Sequence, residues 1–292
     1  MRVSNQTLYG MVKQNLGNIT EELFKANKVV ATGKRIADLS DDPVGLTQVL
    51  HIKADLSSME QLGSNVTFGK SWLSASEIAL RNVQNLVSDT KAMAVQMASA
   101  TIGSPERASA AKTVQNMLEE IVSLANTDVG GRFIFAGSNT DAAAFAVDGT
   151  YNGDNNPFTI KVGQASTVEV GKDGEAVFKS PGMDIFQTLI DFKTALESND
   201  VGGIQTAIGE LGAFFDHVNT QISDVGSKTL RMQVKENIFQ DIEISKMERL
   251  SQIEDADLAA AITDLKAKEL AYQAALASSS RIMELSLTNY MG

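Results

Sequence analysis

A mainly α-helical protein is predicted, its two termini forming a long-helix coiled coil or bundle and its centre holding a small β-rich insert. Three features predict it. Apolar residues recur at alternating spacings of four and three near both ends. The long stretches between are almost free of proline, and the hydrophobic period shortens only after Gly130-Gly131.

The first helix shows as a heptad seam of Val12, Leu16, Ile19, Leu23, Ala26 and Val30, ended by Gly33. Pro43 follows Ser40 and Asp42, and Pro105 follows Ser104; each proline reads as the first turn of a long helix with its cap in front. The Pro43 helix is expected to reach about residue 100, through Val49, Ile52, Leu56, Met59, Val66, Leu73, Leu80 and Val87. The next is expected from Glu106 to about Asn126.

Beyond Gly131 the chain alternates instead. Phe133-Ile134-Phe135, Thr159-Ile160-Lys161-Val162 and Thr167-Val168-Glu169-Val170 read as short strands. Asp173-Gly174 reads as a hairpin turn before a strand at Ala176-Val177-Phe178. Helix resumes with Ile185, Leu189, Phe192 and Leu196 and fills about 201–254 and 255–288. The last helix repeats the terminal heptad through Leu258, Ile262, Leu265, Glu269, Tyr272, Leu276, Ser279 and Met283. Two seams of one period at opposite ends predict terminal helices that meet each other or other subunits.

Three segments are expected on this pattern. Residues 1–40 and 255–292 form terminal coiled-coil assembly segments, 41–130 and 183–254 a helical rod, and 131–182 a β-rich outward insert. Ten of the 17 aromatic residues lie between Phe133 and Phe215, so the best-packed core is expected in the centre. The aromatic-poor ends are expected to be weakly ordered until partners pack them. Residues 140–200 hold ten acidic side chains against four lysines, which reads as a solvated surface, and residues 1–40 hold six basic against three acidic.

Composition excludes most chemistry. A chain of 292 residues buries a core without disulfides or metals, and the absence of cysteine removes thiol nucleophiles, cysteine zinc sites and iron–sulfur clusters. His51 and His217 are the only histidines, too few for a multi-histidine metal site. A net charge of −11 argues against nucleic-acid binding. No apolar run is long enough for membrane insertion, and no cleavable signal is visible, which taken alone points to a cytoplasm. Asp41-Asp42 reads as a helix cap, and neither a phosphate loop nor a nucleophile elbow is present. The reading is a non-enzyme with no catalytic, cofactor or metal residue.

The motifs Thr32-Gly33-Lys34-Arg35-Ile36 and Ser40-Asp41-Asp42-Pro43 resemble the N-terminal signature of bacterial flagellin-like proteins. Gly131-Arg132-Phe133-Ile134-Phe135-Ala136-Gly137, Ile253-Glu254-Asp255-Ala256-Asp257-Leu258 and the ending Ser286-Leu287-Thr288-Asn289-Tyr290-Met291 are similar to its hook–filament junction branch, the hook-associated protein 3 type. Residues 146–180 match nothing in that pattern. Ala144 and Met291 stand where members often have Pro and Leu, both mild departures.

The resemblance implies a structural adapter joining the flagellar hook assembly to the flagellin filament, secreted through the flagellar type III channel and located outside the cell. It implies as partners flagellin, the adjoining hook-associated protein, copies of the chain itself, and an export chaperone with the export apparatus. The expected assembly interface is Val12, Leu16, Ile19, Leu23, Val30, Leu258, Ile262, Leu265, Tyr272, Leu276, Met283 and Leu287. Two alternatives stand beside it: the major filament flagellin, and a cytoplasmic coiled-coil scaffold or signalling protein.

Overall fold

A computed structural model describes residues 5–163 and 165–291, and side chains in the last helix as far as Ile282. The long helices are α1 (Asn5–Thr32), α2 (Pro43–Met97), α3 (Ser104–Ala125), α5 (Ile185–Glu197), α6 (Val201–Glu254) and α7 (Leu258–Met291). Between α3 and α5 lie β1 (Asp128–Val129), β2 (Arg132–Phe133), β3 (Thr159–Lys161), β4 (Thr167–Glu169) and the short α4 (Gly174–Phe178). The mainly α class with terminal helices paired together is therefore present. The chain divides into two compact units, residues 1–57 with 242–292 and residues 58–241.

Local chemistry accounts for most boundaries. Gly33 ends α1 at φ +69°, a backbone that L side chains rarely adopt. Pro43 opens α2, and Asp42 Oδ1 accepts the amides of Val44 (3.1 Å) and Gly45 (2.9 Å) as its cap. Asp41 Oδ2 accepts those of Ala37 and Asp38. The acidic pair thus serves the backbone. At α3 the expectation is off by one: Gly103 holds the cap position, and Ser104 lies inside the helix.

In the central unit, two antiparallel hairpins follow α3. The tight β1–β2 turn uses Gly130 (φ +62°) and Gly131 (φ +81°) in succession, as a primed turn requires. The second hairpin pairs Thr159 with Glu169, Ile160 with Val168 and Lys161 with Thr167. Its inner side chains Ile160 and Val168 are buried, together with Val162 and Val170 beyond the paired residues. A Cβ on Gly69 of α2 would lie 2.3 Å from Ile160 Cδ1, so glycine lets the hairpin settle onto the helix.

One element differs in kind from expectation. Asp173-Gly174 is no hairpin turn, and Ala176-Val177-Phe178 is helix rather than strand. Asp173 caps α4 by accepting the Glu175 amide at 2.8 Å. Gly174 is needed for close approach: its amide donates to Phe135 O at 2.9 Å, and a Cβ would lie 2.4 Å from that oxygen. An acidic cap before a short apolar run and a glycine turn between strands look alike in sequence.

The central core is aromatic. Phe135 and Phe178 meet edge to face at 5.2 Å, and Phe145 stands 5.4 Å from Phe178 and 5.0 Å from Phe186. All four rings are buried. The segment expected to be merely solvated therefore sends Ile160, Val162, Val168, Val170, Val177 and Phe178 into this core. Asp148, Lys161, Glu169 and Glu175 stay exposed, and Lys172 is largely covered where it meets Gln221 (2.9 Å) and Asp224. Trp72, the single tryptophan, is buried against Phe158 at 5.1 Å, and its indole N–H has no hydrogen-bond partner among the described residues.

Arg107 is buried in the same unit. Its Nε donates to Met97 O (2.9 Å) and Nη2 to Ser99 O (3.0 Å), and Nη1 bonds the Asn199 side chain. It ties the turn after α2 to the turn after α5. His217 on α6 bonds Ala176 O through Nε2 at 3.0 Å, a fastening for the insert.

Candidate assembly interface

In the terminal unit α1 and α7 run antiparallel. Glu22 pairs with Lys268 at 2.6 Å, and Lys34 bridges to Asp255 at the root of the pair. The predicted α1 seam is the one that packs: Val12, Leu16, Ile19, Leu23 and Val30 are half-buried and Ala26 is buried. On α7 the packed series is Ala261, Leu265, Lys268, Tyr272, Ala275 and Ser279, again at fours and threes.

Of the α7 residues expected at an interface, Leu265 and Tyr272 lie in this internal seam. Leu258, Ile262 and Leu276 remain exposed, at 50%, 44% and 44%. Met283 and Leu287 fall outside the residues whose side chains are described. The rotation has a physical cause: α7 is rich in Ala and Leu around most of its circumference, so its sequence marks no single apolar face. The helix turns small residues and the Lys268 stem toward α1.

The root of the pair is a joint between two hinge motifs, Thr32–Ile36 at the end of α1 and Ile253–Leu258 between α6 and α7. Gly33 O accepts the Ala256 amide at 2.9 Å, and Arg35 N donates to Glu254 O at 2.7 Å. Glu254 is 5% exposed, and its Oε1 accepts from Lys34 (2.6 Å) and Lys53 (2.7 Å). The Arg35 guanidinium reaches Ile253 O at 3.0 Å. Ile36 is buried at 2% beside Gly45, where a Cβ would lie 2.5 Å from both Ile36 Cδ1 and Asp42 Oδ2. Glycine is required there by contact.

Sequence reasoning placed Lys34, Arg35 and Glu254 within motifs without giving them a role. The available signal was a carboxylate in the middle of one hinge and adjacent cations in the other. Burial acts to raise the Glu254 carboxyl, but the hydrogen bonds and charges of Lys34 and Lys53 outweigh it, holding it below its ordinary value of 4.5. A depressed carboxyl contributes stability that is full above its unfolded pKa and is lost as pH falls through the folded value. The joint is accordingly expected to hold at neutral pH and loosen only in acid below that value.

Glu254→Gln keeps the shape and leaves two ammonium groups without their counter-charge. It is expected to cost the terminal unit about 2 kcal/mol at pH 7, and less in acid, where the native carboxyl is also neutral. Hydrogen exchange at residues 33–42 checks this; unchanged protection at pH 7 would show that the backbone contacts alone hold the joint.

Among the described residues, no three His, Asp or Glu side chains are grouped to hold a metal ion. No described helix is long and apolar enough to cross a membrane. The site consists of helix faces and a polar joint.

Residues 3–140 match the bacterial flagellin N-terminal helical region. The flagellar hook-associated protein 3 of Salmonella typhimurium is 26% identical over 98% of this chain and 98% of its own length. A flagellin of Listeria monocytogenes is 19% identical over 96% of this chain and 95% of its own. The crystal structure of Bacillus cereus FlgL shares the fold, with a TM-score of 0.61 at 24% identity over 69% of this chain and 99% of that one. With its two hinge motifs joined at the root of paired terminal helices, the chain is similar along nearly its whole length to the hook-associated protein 3 type of flagellin-like proteins.

Proposed function

We propose that the protein is a structural adapter of the flagellum, joining the hook assembly to the flagellin filament through its terminal helices. The observation that carries this reading is the α1–α7 pair: the chain's own contacts satisfy one seam and leave Leu258, Ile262 and Leu276 exposed on α7. Exposed leucine and isoleucine at helical spacing are suited to a neighbouring subunit. Similarity along the whole chain to a hook-associated protein 3 supports the place of action.

Its partners are copies of itself, the adjoining hook-associated protein on the hook side and flagellin on the filament side. An export chaperone and the export apparatus deliver it through the flagellar channel to the cell exterior. It carries no catalytic group, and its role is mechanical.

The test is a strain lacking this chain. It should secrete flagellin monomers into the medium and build hooks without filaments, and the intact chain supplied back should restore filaments. Loss of flagellin itself, with no monomer in the medium, would instead favour the filament-subunit reading that the Listeria flagellin likeness keeps in view. A chain found only inside the cell would remove both.

A further inference from the structure

The terminal pair carries a second pattern beside its seam. On α1, Tyr9, Lys13, Thr20 and Phe24 are all exposed and follow at spacings of four, seven and four. Phe24 is 71% exposed. On α7, Leu258, Ile262, Glu269 and Leu276 follow at four, seven and seven and are exposed too. At ~100° per residue, each stripe lies roughly a quarter turn from its own seam, in the same rotational sense. Because the helices are antiparallel, both stripes open on one side of the pair. Each stripe contains a single charge, Lys13 on α1 and Glu269 on α7, and neither has an ion-pair partner among the described residues.

We infer that the α7 stripe of one copy docks antiparallel on the α1 stripe of a second copy of this chain, with Glu269 opposite Lys13. That alignment also sets Phe24 opposite Leu258 and Thr20 opposite Ile262, because these lie eleven and seven residues from the charge on their own helices. A parallel alignment sets Phe24 against Ser280 and Tyr9 against Leu265, which the internal seam already uses. The antiparallel alignment therefore matches three stripe pairs, Lys13–Glu269, Thr20–Ile262 and Phe24–Leu258, against two in the parallel one, Lys13–Glu269 and Thr20–Leu276.

The alignment also fixes the kind of contact. Within one chain Glu22 stands opposite Lys268, which places Lys13 opposite residue 277. Between copies Lys13 stands opposite Glu269, a shift of about eight residues or ~12 Å along the helix. A contact staggered in this way is not reciprocal about a twofold axis. It runs head to tail, leaves an α1 stripe and an α7 stripe free at the two ends, and propagates.

The inference rests on the reading of the terminal helices as the assembly element, and charge exchange separates the two. Lys13→Glu, Glu269→Lys and the double variant are expressed as full chains in cells lacking their own copy. Filament-bearing cells are counted, and purified chains are melted. Each single variant places like charges together and should lower filament-bearing cells about tenfold. Melting should be unchanged, since both positions are exposed. The double variant restores opposite charges between copies and should recover filaments.

Normal filaments from either single variant, or a double variant no better than the singles, would overturn the docking. Leu276→Asp, run in parallel, reports on the underlying reading. If it blocks filaments while the charge variants do not, only the alignment fails; if every variant assembles normally, the terminal-helix reading fails with it.

Discussion

Phe178→Ala is expected to destabilise the central unit by about 4 kcal/mol. Phe178 is completely buried, meets Phe135 edge to face at 5.2 Å and Phe145 at 5.4 Å, and lies 6.0 Å from Phe186. Removing the ring forfeits its transfer free energy, leaves a cavity among three other rings, and loses the aromatic contacts, each worth ~1 kcal/mol. Domains of this size are stable by about 5–15 kcal/mol, so the loss is a large share of the total. Phe178→Leu retains most of the volume and should cost about 1.5 kcal/mol or less.

Denaturant unfolding followed by fluorescence gives a clean readout, because the single tryptophan, Trp72, is buried in that unit. An alanine variant within 1 kcal/mol of the parent (less than the ~2–5 kcal/mol of a typical large-to-small core change) would show that α4 is an attachment rather than core. By the same argument, replacing residues 146–180 with a short linker should unfold the unit. It would delete Ile160, Val162, Val168, Val170 and Phe178 from the interior.

What could be read in the sequence followed the range of the interaction. Gly33, Pro43 and the Asp41-Asp42 pair act on amides within a few residues, so the end of α1 and the start of α2 are visible in local composition. The α1 seam was legible because Val12, Leu16, Ile19, Leu23, Ala26 and Val30 run unbroken at fours and threes, while the other apolar side chains of the helix keep no such run. On α7 the same method found the right period and set the face toward α1 off by ~50°, about a seventh of a turn. Ala259, Ala260, Ala261 and Leu270 offer no contrast.

The joint escaped for a different reason. Lys34 and Glu254 are separated by 220 residues, and only the folded chain brings them to 2.6 Å. The depth of the insert escaped likewise. Alternation in Thr159-Ile160-Lys161 shows that one face is apolar, but the core it enters is built by α2 and α6 from remote sequence. Acidic side chains on the outer face gave the segment its solvated look. Five residues of α4 were too few to show a helical period.

Leu276→Asp and Leu23→Asp should separate the two uses of the terminal helices. Leu276 is 44% exposed on α7 outside the internal seam, so a carboxylate there stays hydrated in the isolated chain. That variant should melt within about 0.5 kcal/mol of the parent, as surface changes usually do. Leu23 is half-buried in the seam against α7, close to the Glu22–Lys268 pair. Asp there loses apolar burial and places a charge at the helix contact, costing the isolated terminal pair about 2 kcal/mol and raising hydrogen exchange along α1.

In the assembled state both changes should abolish filaments, but by different routes. The Leu276 variant buries an unpaired carboxylate against the neighbouring copy, a cost of several kcal/mol repeated at every subunit. The Leu23 variant fails earlier, because the pair that presents the outer stripes is loosened. Restoring apolar character at the same site with Leu276→Met should recover filaments, since volume and hydrophobicity are kept. Normal filaments from Leu276→Asp would show that its face stays in water in the organelle, and equal melting of the two variants would show that α1 and α7 do not hold each other in the free chain.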